Sequence, residues 1–209
     1  MFKLACFDLD DTLIRGVHSV MLLCILCGKL KPLLEIEELE KENKLNWIEA
    51  DYKKADLIKG LPLKTLKTGF DDLIKPLSNI SKTIQELKER GVRCILITAG
   101  PVQVAEIAQR KWGFDAFYGS DYEVKHGRFT GKITDHMGNR EKVTCLRQYC
   151  LSNDFMPNEC VAIGDGTSDI PLFQYCKKSI ALNACDAVEK AATLALRTDD
   201  LADILPFIQ

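Results

Sequence analysis

The sequence predicts an α/β protein: a Rossmann-like parallel sheet with helices on both faces, plus a small helical cap inserted after the first strand. A short apolar run at residues 3–7 is typical of a buried strand and leads directly into an acidic loop. Residues from about 17 to 75 show only the helical spacing of apolar side chains. From Ser78 onward strands alternate with helices, which is typical of a parallel sheet covered on both faces.

The length of 209 residues suffices for one core domain and a small accessory unit. We expect residues 1–14 and 77–209 to form the core and residues 15–76 to form the cap. Apolar residues make up 46% of the chain and charged residues 28%, which is ordinary for a globular protein. With a net charge of −2 and no basic tract, the sequence gives no indication of a nucleic-acid partner.

The nine cysteines are a high and odd number. Several lie within predicted buried strands, where a reduced thiol behaves as a small hydrophobic group. Cys24-x-x-Cys27 could form a redox or zinc pair, but no second pair accompanies it, and the core face of a helix is the favoured interpretation. The apolar run around it is shorter than the ~20 residues that a bilayer requires. We expect no leader peptide, reduced thiols and a cytoplasmic protein without a membrane partner.

Four helices are predicted in the cap. The first is strongly apolar and ends near Gly28, the second is acidic, and the third alternates apolar and charged residues. Gly60-Leu61-Pro62 interrupts the chain before the last helix, which ends before Pro76 because proline cannot continue a helix. The predicted helices cover residues 18–30, 33–43, 47–59 and 63–75.

The core alternates strands with helices. Residues 79–90 predict an amphipathic helix with Ile80, Ile84 and Leu87 on one face. Two later runs on either side of a turn at residues 126–127 predict a β-hairpin. The remaining predicted core strands cover residues 92–97, 160–164, 179–182 and 193–196, and two further helices begin at Pro101 and Arg140.

Acidic side chains follow the first strand. Asp8, Asp10 and Asp11 come at the end of a buried run, where an unpaired carboxylate is costly and requires a compensating partner. A divalent cation is one such partner, and ligands bind at the carboxyl ends of strands in open α/β sheets. A helix N-cap would account for one acid and leave the Asp8/Asp10 pair unexplained. Because these two residues would face opposite sides of an extended strand, the chain must turn here.

Polar residues also end two other predicted strands. Thr98 ends the second strand, Asp165 and Asp169 follow the third, and Lys142 begins the preceding helix. In a parallel sheet these strand ends meet at one edge. Oxygen ligands of this kind suit Mg²⁺, which binds through carboxylates, water and substrate phosphate. Each residue alone has an ordinary explanation as a helix cap, a solvated lysine or a turn, but those explanations do not account for the whole pattern.

Asp8-x-Asp10-x-Thr12 after an N-terminal strand is the first motif of the haloacid dehalogenase-like (HAD) hydrolases, and the sequence resembles that family along nearly its whole length. Thr98 occupies the second motif position and Lys142 the third. The stretch Gly164-Asp165-Gly166-Thr167-Ser168-Asp169 is similar to the fourth motif. The resemblance is strongest to the phosphoserine phosphatase-like branch, which has a small helical cap after the first motif.

The resemblance implies a role for each motif residue. Asp8 would attack phosphorus and form an aspartyl-phosphate, while Asp10 would act first as general acid and then as general base. Phosphoryl oxygens would be bound by Lys142, the Thr98 hydroxyl and backbone N–H groups near Ala99 and Gly100. Mg²⁺ would be bound by Asp8, the Asp10 backbone carbonyl and Asp165, with Asp169 acting indirectly or through water.

Two cap positions differ from the branch. The glutamate and arginine with which phosphoserine phosphatases bind the substrate's amino and carboxylate groups correspond here to Val17 and Lys54. Valine cannot bind an ammonium group, and lysine lacks the bidentate fork of arginine. With Val17 and Lys54 as the substrate-binding positions of the cap, we expect a substrate with a less polar leaving group than phosphoserine.

Asp10 favours phosphoryl transfer over dehalogenation, because family members that cleave carbon–halogen bonds lack the second aspartate. We therefore expect a Mg²⁺-dependent phosphatase that acts on a small phosphorylated metabolite. One alternative is a phosphotransferase or mutase on the same scaffold, which would need the same residues. A non-catalytic phosphate-binding protein would predict the loss of a motif residue, and none is lost. A redox or zinc protein would require ligand pairs that the sequence does not contain.

Overall fold

The computed structural model describes the whole chain, Met1–Gln209. Its main sheet has seven strands in the order β6-β5-β4-β1-β7-β8-β9, and β2 and β3 form a separate two-stranded ladder. The strands are β1 (Leu4–Phe7), β2 (Ile14–Arg15), β3 (Lys75–Pro76), β4 (Arg93–Pro101), β5 (Ala116–Lys125), β6 (Arg128–Asp135), β7 (Cys160–Gly164), β8 (Lys178–Leu182) and β9 (Leu194–Leu196).

The predicted parallel sheet is confirmed for every neighbouring pair of the main sheet except β5 and β6, which are antiparallel as the predicted hairpin requires. The central strand β1 pairs with both β4 and β7. Its side chains alternate between two apolar clusters, Ala5 and Phe7 in the larger and Leu4 and Cys6 in the smaller. This alternation with a period of two shows that both faces of the sheet are covered.

The helices fall into two groups along the chain, one in the predicted cap and one in the predicted core. In the cap they lie between β2 and β3, and in the core they connect successive strands. The cap helices are α1 (Ser19–Leu26), α2 (Leu30–Lys41), α3 (Trp47–Leu57) and α4 (Leu66–Leu73). The core helices are α5 (Ile80–Glu89), α6 (Val102–Trp112), α7 (Asn139–Ser152), α8 (Ile170–Tyr175) and α9 (Asp186–Glu189), and the chain ends with a 3₁₀ helix at Leu201–Phe207. None of these helices is long and apolar enough to cross a bilayer.

The ladder of β2 and β3 lies where the chain enters and leaves the cap helices, with Arg15 opposite Lys75. Helix was predicted up to residue 75, but α4 ends at Leu73. The reason is Pro76, which disfavours helical geometry in the residue before it. A strand of two residues is too short to show alternation in the sequence. The division into a core and a cap at residues 15–76 stays a prediction.

The second motif lies within a strand, and not after it as predicted. β4 continues past Ile97 to Pro101, because a register shift between these two residues lets the chain pair again with β5. Such a shift re-aims side chains at the sheet edge. The segment containing Thr98 is therefore held in the sheet.

Candidate active site

The acidic side chains after β1 and β7 meet Lys142 of α7 at the carboxyl edge of the sheet. Lys142 and Asp169 are fully buried, and Asp8 is 6% exposed. The Lys142 ammonium donates to Asp8 Oδ1 at 3.0 Å and to Asp169 Oδ1 at 2.8 Å. A third hydrogen bond of 3.2 Å goes to the Ser168 hydroxyl. All three donors of the ammonium are thus satisfied, as a buried charge requires.

The carboxylates beside Lys142 shift the pKa of its ammonium group. Burial alone would lower the pKa of its ammonium. The charges of Asp169 and Asp8, together with their hydrogen bonds, outweigh burial and raise the pKa above its ordinary value. The two carboxylates therefore favour the ammonium form of Lys142.

Asp8, Asp165 and Asp169 form a carboxylate group whose ligand oxygens all lie within 4.8 Å of one another. Burial, followed by the charge of Asp169, raises the pKa of Asp8 well above its ordinary value. Burial also raises the pKa of Asp165 to about 7, although the Thr12 hydroxyl donates to its Oδ1 at 2.5 Å. One ammonium does not compensate three carboxylates, and hard oxygen donors at this spacing fit a divalent cation such as Mg²⁺. We call these three residues and Lys142 the strand-end cluster.

Asp10 is placed differently from Asp8. The chain turns after it through Asp11, which has a left-handed φ of 57°. The Asp10 carboxylate accepts the backbone N–H of Ser19 at 2.7 Å through Oδ1 and the Ser19 hydroxyl through Oδ2. Its side chain is thus bonded to the first residue of cap helix α1, outside the carboxylate group that Asp8 joins.

The second motif packs tightly against Asp10. Thr98 is buried, and its hydroxyl accepts the Gly100 N–H at 3.0 Å. A Cβ at Gly100 would overlap the Ser19 hydroxyl and come within 2.7 Å of Asp10 Oδ2, so any other residue here would displace the contact between Ser19 and Asp10. The Ala99 carbonyl accepts the Ser120 hydroxyl at 2.7 Å. The predicted role of Thr98, Ala99 and Gly100 in phosphate binding stays a prediction.

The two predicted cap positions lie in apolar and ion-paired surroundings. Val17 is partly buried and packs against the larger apolar cluster. The Lys54 ammonium forms ion pairs with Glu40 at 2.8 Å and with Asp51 at 3.6 Å. Lys54 is only 8% exposed, and its two carboxylate partners balance its charge within the cap. Contact of Val17 and Lys54 with a substrate stays a prediction.

A contact between His18 and Glu37, near Asp10, was not predicted from the sequence. His18 caps α1, since its Nδ1 accepts the Met21 N–H at 3.2 Å, and its Nε2 lies 2.9 Å from Glu37 Oε1. Burial would lower the pKa of His18, but the hydrogen bond to Glu37 and the charge of Asp10 outweigh it and raise the pKa. A polar residue before an apolar helix could have indicated the cap role. Nothing in the sequence pointed to Glu37.

A further contact joins the cap to the core. His136, in the loop after β6, lies 2.9 Å from Asp51 Oδ2 of α3. Its ring packs between Trp47 and Tyr52, with ring centroids 5.3 and 5.8 Å away. Backbone hydrogen bonds also join the loop after α3 to β6. Together with the Ser19 contact to Asp10, these interactions join residues of the predicted cap to residues of the predicted core.

Comparison with known proteins fits this geometry. Residues 5–174 match the haloacid dehalogenase-like hydrolase family. The chain belongs to that family. It is 26% identical over 208 residues to the phosphoserine phosphatase of Methanocaldococcus jannaschii, a match that covers 99% of this chain and 98% of that protein.

Solved structures of phosphoserine phosphatase show the same fold. A phospho-aspartyl intermediate analogue superposes with a TM-score of 0.86, at 26% identity and with 100% of this chain and 99% of that chain covered. A substrate-bound complex gives a TM-score of 0.87 at the same identity and coverage. The chain is therefore a HAD-like hydrolase of the phosphoserine phosphatase-like branch, as its motifs predicted.

Proposed function

We propose that the protein is a Mg²⁺-dependent phosphatase that hydrolyses a small phosphomonoester through an aspartyl-phosphate on Asp8. The observation that carries this proposal is the Asp8 carboxylate, which is buried at the end of the central strand and paired with Lys142 at 3.0 Å. A carboxylate in this position is oriented and shielded from water. Its family membership and its likeness to phosphoserine phosphatases support phosphate-ester hydrolysis as the reaction.

The reaction has two halves. In the first, a carboxylate oxygen of Asp8 attacks phosphorus, the bond from phosphorus to the ester oxygen breaks, and Asp10 gives its proton to the departing alkoxide. In the second, water attacks the aspartyl-phosphate and Asp10 takes the proton of that water. Inorganic phosphate leaves, and both carboxyl groups return to their starting states. Proton transfer of this kind contributes on the order of 10²–10⁴ in rate.

Phosphate binding requires positive charge at the strand ends. Lys142 would lie beside the transferring phosphoryl group, and the Thr98 hydroxyl would donate to one of its oxygens. Asp8, Asp165 and the backbone carbonyl of Asp10 would bind Mg²⁺, with Asp169 orienting Lys142 and acting indirectly or through water. The bound Mg²⁺ would neutralise phosphoryl charge so that an anionic carboxylate can approach an anionic ester.

The closed cap limits the substrate. We propose that residues 15–76 act as a cap domain over a core of residues 1–14 and 77–209, and that the covered site admits only a small metabolite. Lys54 is engaged by Glu40 and Asp51, and Val17 offers no charge, so phosphoserine is not the favoured substrate. We propose a cytoplasmic location, where the nine cysteines would stay reduced.

Phosphate release from a panel of phosphomonoesters tests the proposal. The panel includes p-nitrophenyl phosphate, phosphoserine and alkyl phosphates whose alkyl group carries no charge, each measured with Mg²⁺ and with EDTA. We expect Mg²⁺-dependent release, with alkyl phosphates preferred over phosphoserine. Failure to release phosphate from any ester would contradict hydrolysis, and product formation only after addition of an acceptor alcohol would indicate a phosphotransferase.

A further inference from the structure

The Asp10 carboxylate is bonded on both oxygens by a single cap residue, Ser19. The Ser19 N–H donates to Oδ1 at 2.7 Å, and the Ser19 hydroxyl donates to Oδ2. Ser19 is fully buried and is the first residue of α1. A residue of the cap thus determines the orientation of a carboxylate of the core.

Helix geometry makes Ser19 suited to this contact. The first backbone N–H groups of a helix have no partner within the helix, and the positive end of the helix dipole favours a nearby carboxylate. The Ser19 N–H is such a group, and Asp10 satisfies it. Each carboxylate oxygen of Asp10 has two acceptor sites, so the two bonds from Ser19 leave one site on each oxygen to carry the proton that goes to the leaving group. Gly100 leaves the space in which this contact forms.

We propose that Ser19 is the positioning residue through which the closed cap orients Asp10 for proton transfer to the leaving group. This inference rests on the proposed phosphatase function and extends it to a residue outside the motifs. Closing the cap and aligning the acid are then one event, because the same side chain makes both contacts. An open cap would leave Asp10 without either of its bonds from Ser19.

Leaving groups of different basicity test the proposal. The ratio kcat/KM covers the steps up to departure of the leaving group. A nitrophenolate departs without a proton, whereas an alkoxide requires one. In Ser19→Ala we expect kcat/KM for alkyl phosphates to fall about 10-fold more than kcat/KM for p-nitrophenyl phosphate, the effect of losing one hydrogen bond to a charged group.

Three variants serve as controls. Ser19→Thr keeps the hydroxyl and should restore the wild-type ratio between the two substrate classes. Ser179→Ala removes a hydroxyl that is equally buried but bonded to Thr193, and should leave the ratio unchanged. His136→Phe removes the bond to Asp51 but leaves Ser19 in place. Because we expect substrates of both classes to react only beneath the closed cap, weaker closure should lower kcat/KM equally for both classes.

An equal loss for both classes in Ser19→Ala would overturn the proposal, since Ser19 would then act only in cap closure. Should that variant not fold, Ser19→Cys, which keeps the volume and weakens the donor, gives the same comparison. A wild-type protein that releases no phosphate would instead refute the phosphatase function itself. Failure of the inference and failure of the function are thus separate results.

Discussion

The strand-end cluster and the inner side of the cap both bury charged residues, but they balance charge differently. At the strand ends, three carboxylates face the single ammonium of Lys142. In the cap, Lys54 has two carboxylate partners and His18 has one. The strand ends therefore carry excess carboxylate oxygens that fit a divalent cation, whereas Lys54 and His18 in the cap already have carboxylate partners. This difference fits our proposals that the core supplies the chemistry and that the cap orients Asp10.

Replacing the nucleophile should have the largest effect. In Asp8→Asn we expect kcat to fall by about 10³-fold or more, because an amide oxygen cannot form the aspartyl-phosphate. The fold should persist, since one of several crowded negative charges is removed. The measurement is phosphate release together with a urea unfolding curve.

Asp11→Asn provides the matched control for that variant. Asp11 is exposed and has a left-handed φ of 57°, which asparagine tolerates. We expect it to retain most of the wild-type activity. Comparable losses in both variants would show that the acidic loop acts through its structure and not through a nucleophile at Asp8.

Removing the only ammonium of the strand-end cluster should cost stability. In Lys142→Met, Asp8 and Asp169 lose their buried partner, and we expect the free energy of unfolding in EDTA to fall by about 3–5 kcal/mol. Mg²⁺ should restore part of the loss. Lys67→Met, which breaks an exposed pair with Asp71, should cost less than about 1 kcal/mol. Equal losses in urea unfolding would remove the distinction between the two kinds of pair.

The stabilisation by Mg²⁺ should depend on pH. Burial raises the pKa of Asp165 from 3.8 in the reference state to about 7 in the metal-free protein. Between these values the unfolded chain has released a proton that the folded protein retains, so the free energy of unfolding falls as the pH rises through this window. Mg²⁺ binds the deprotonated carboxylate, and its effect should grow over the same range.

Thermal unfolding with Mg²⁺ and with EDTA measures this difference. We expect a larger Mg²⁺-dependent shift of Tm at about pH 8 than at about pH 5. Asp165→Asn should abolish most of the pH dependence of the shift. A Mg²⁺ effect that is constant with pH would argue against cation binding at Asp165.

The smallest effect is expected in the cap. Glu40 and Asp51 already balance the charge of Lys54. Lys54→Met should therefore change kcat/KM by less than about threefold for alkyl phosphates whose alkyl group carries no charge. Lys53→Met, at an exposed neighbouring position, is the control. A large rise in KM confined to carboxylate-bearing esters would show that Lys54 binds substrate after all.

The parts of the molecule that follow a local rule were predictable from the sequence. The apolar strands, the hairpin, the positions of Asp8 and Asp165 at strand ends and that of Lys142 on the helix before β7 follow from periodicity and motif spacing. The meeting of these side chains then follows from a parallel sheet. The roles of the motif residues came from family resemblance and stay predictions.

The features that were not predicted depend on contacts between distant segments. The bond of Ser19 to Asp10 joins the predicted cap to the predicted core, and the pair of His18 with Glu37 joins two cap helices. No spacing in the sequence encodes either contact. The continuation of β4 to Pro101 depends on its pairing with β5. Contacts between segments that are distant in the sequence determine these features, whereas local propensity does not.

The central claim is that Asp8 carries the phosphoryl group, and the Asp10→Asn variant tests it most directly. With p-nitrophenyl phosphate the first half of the reaction needs no acid, while the second half lacks its base, so the aspartyl-phosphate should accumulate. We predict a burst of one p-nitrophenolate per protein and, after acid quenching, a phosphoryl group on the peptide that contains Asp8. A phosphoryl group on another residue, or steady turnover at the wild-type rate without any covalent phosphate, would contradict the account.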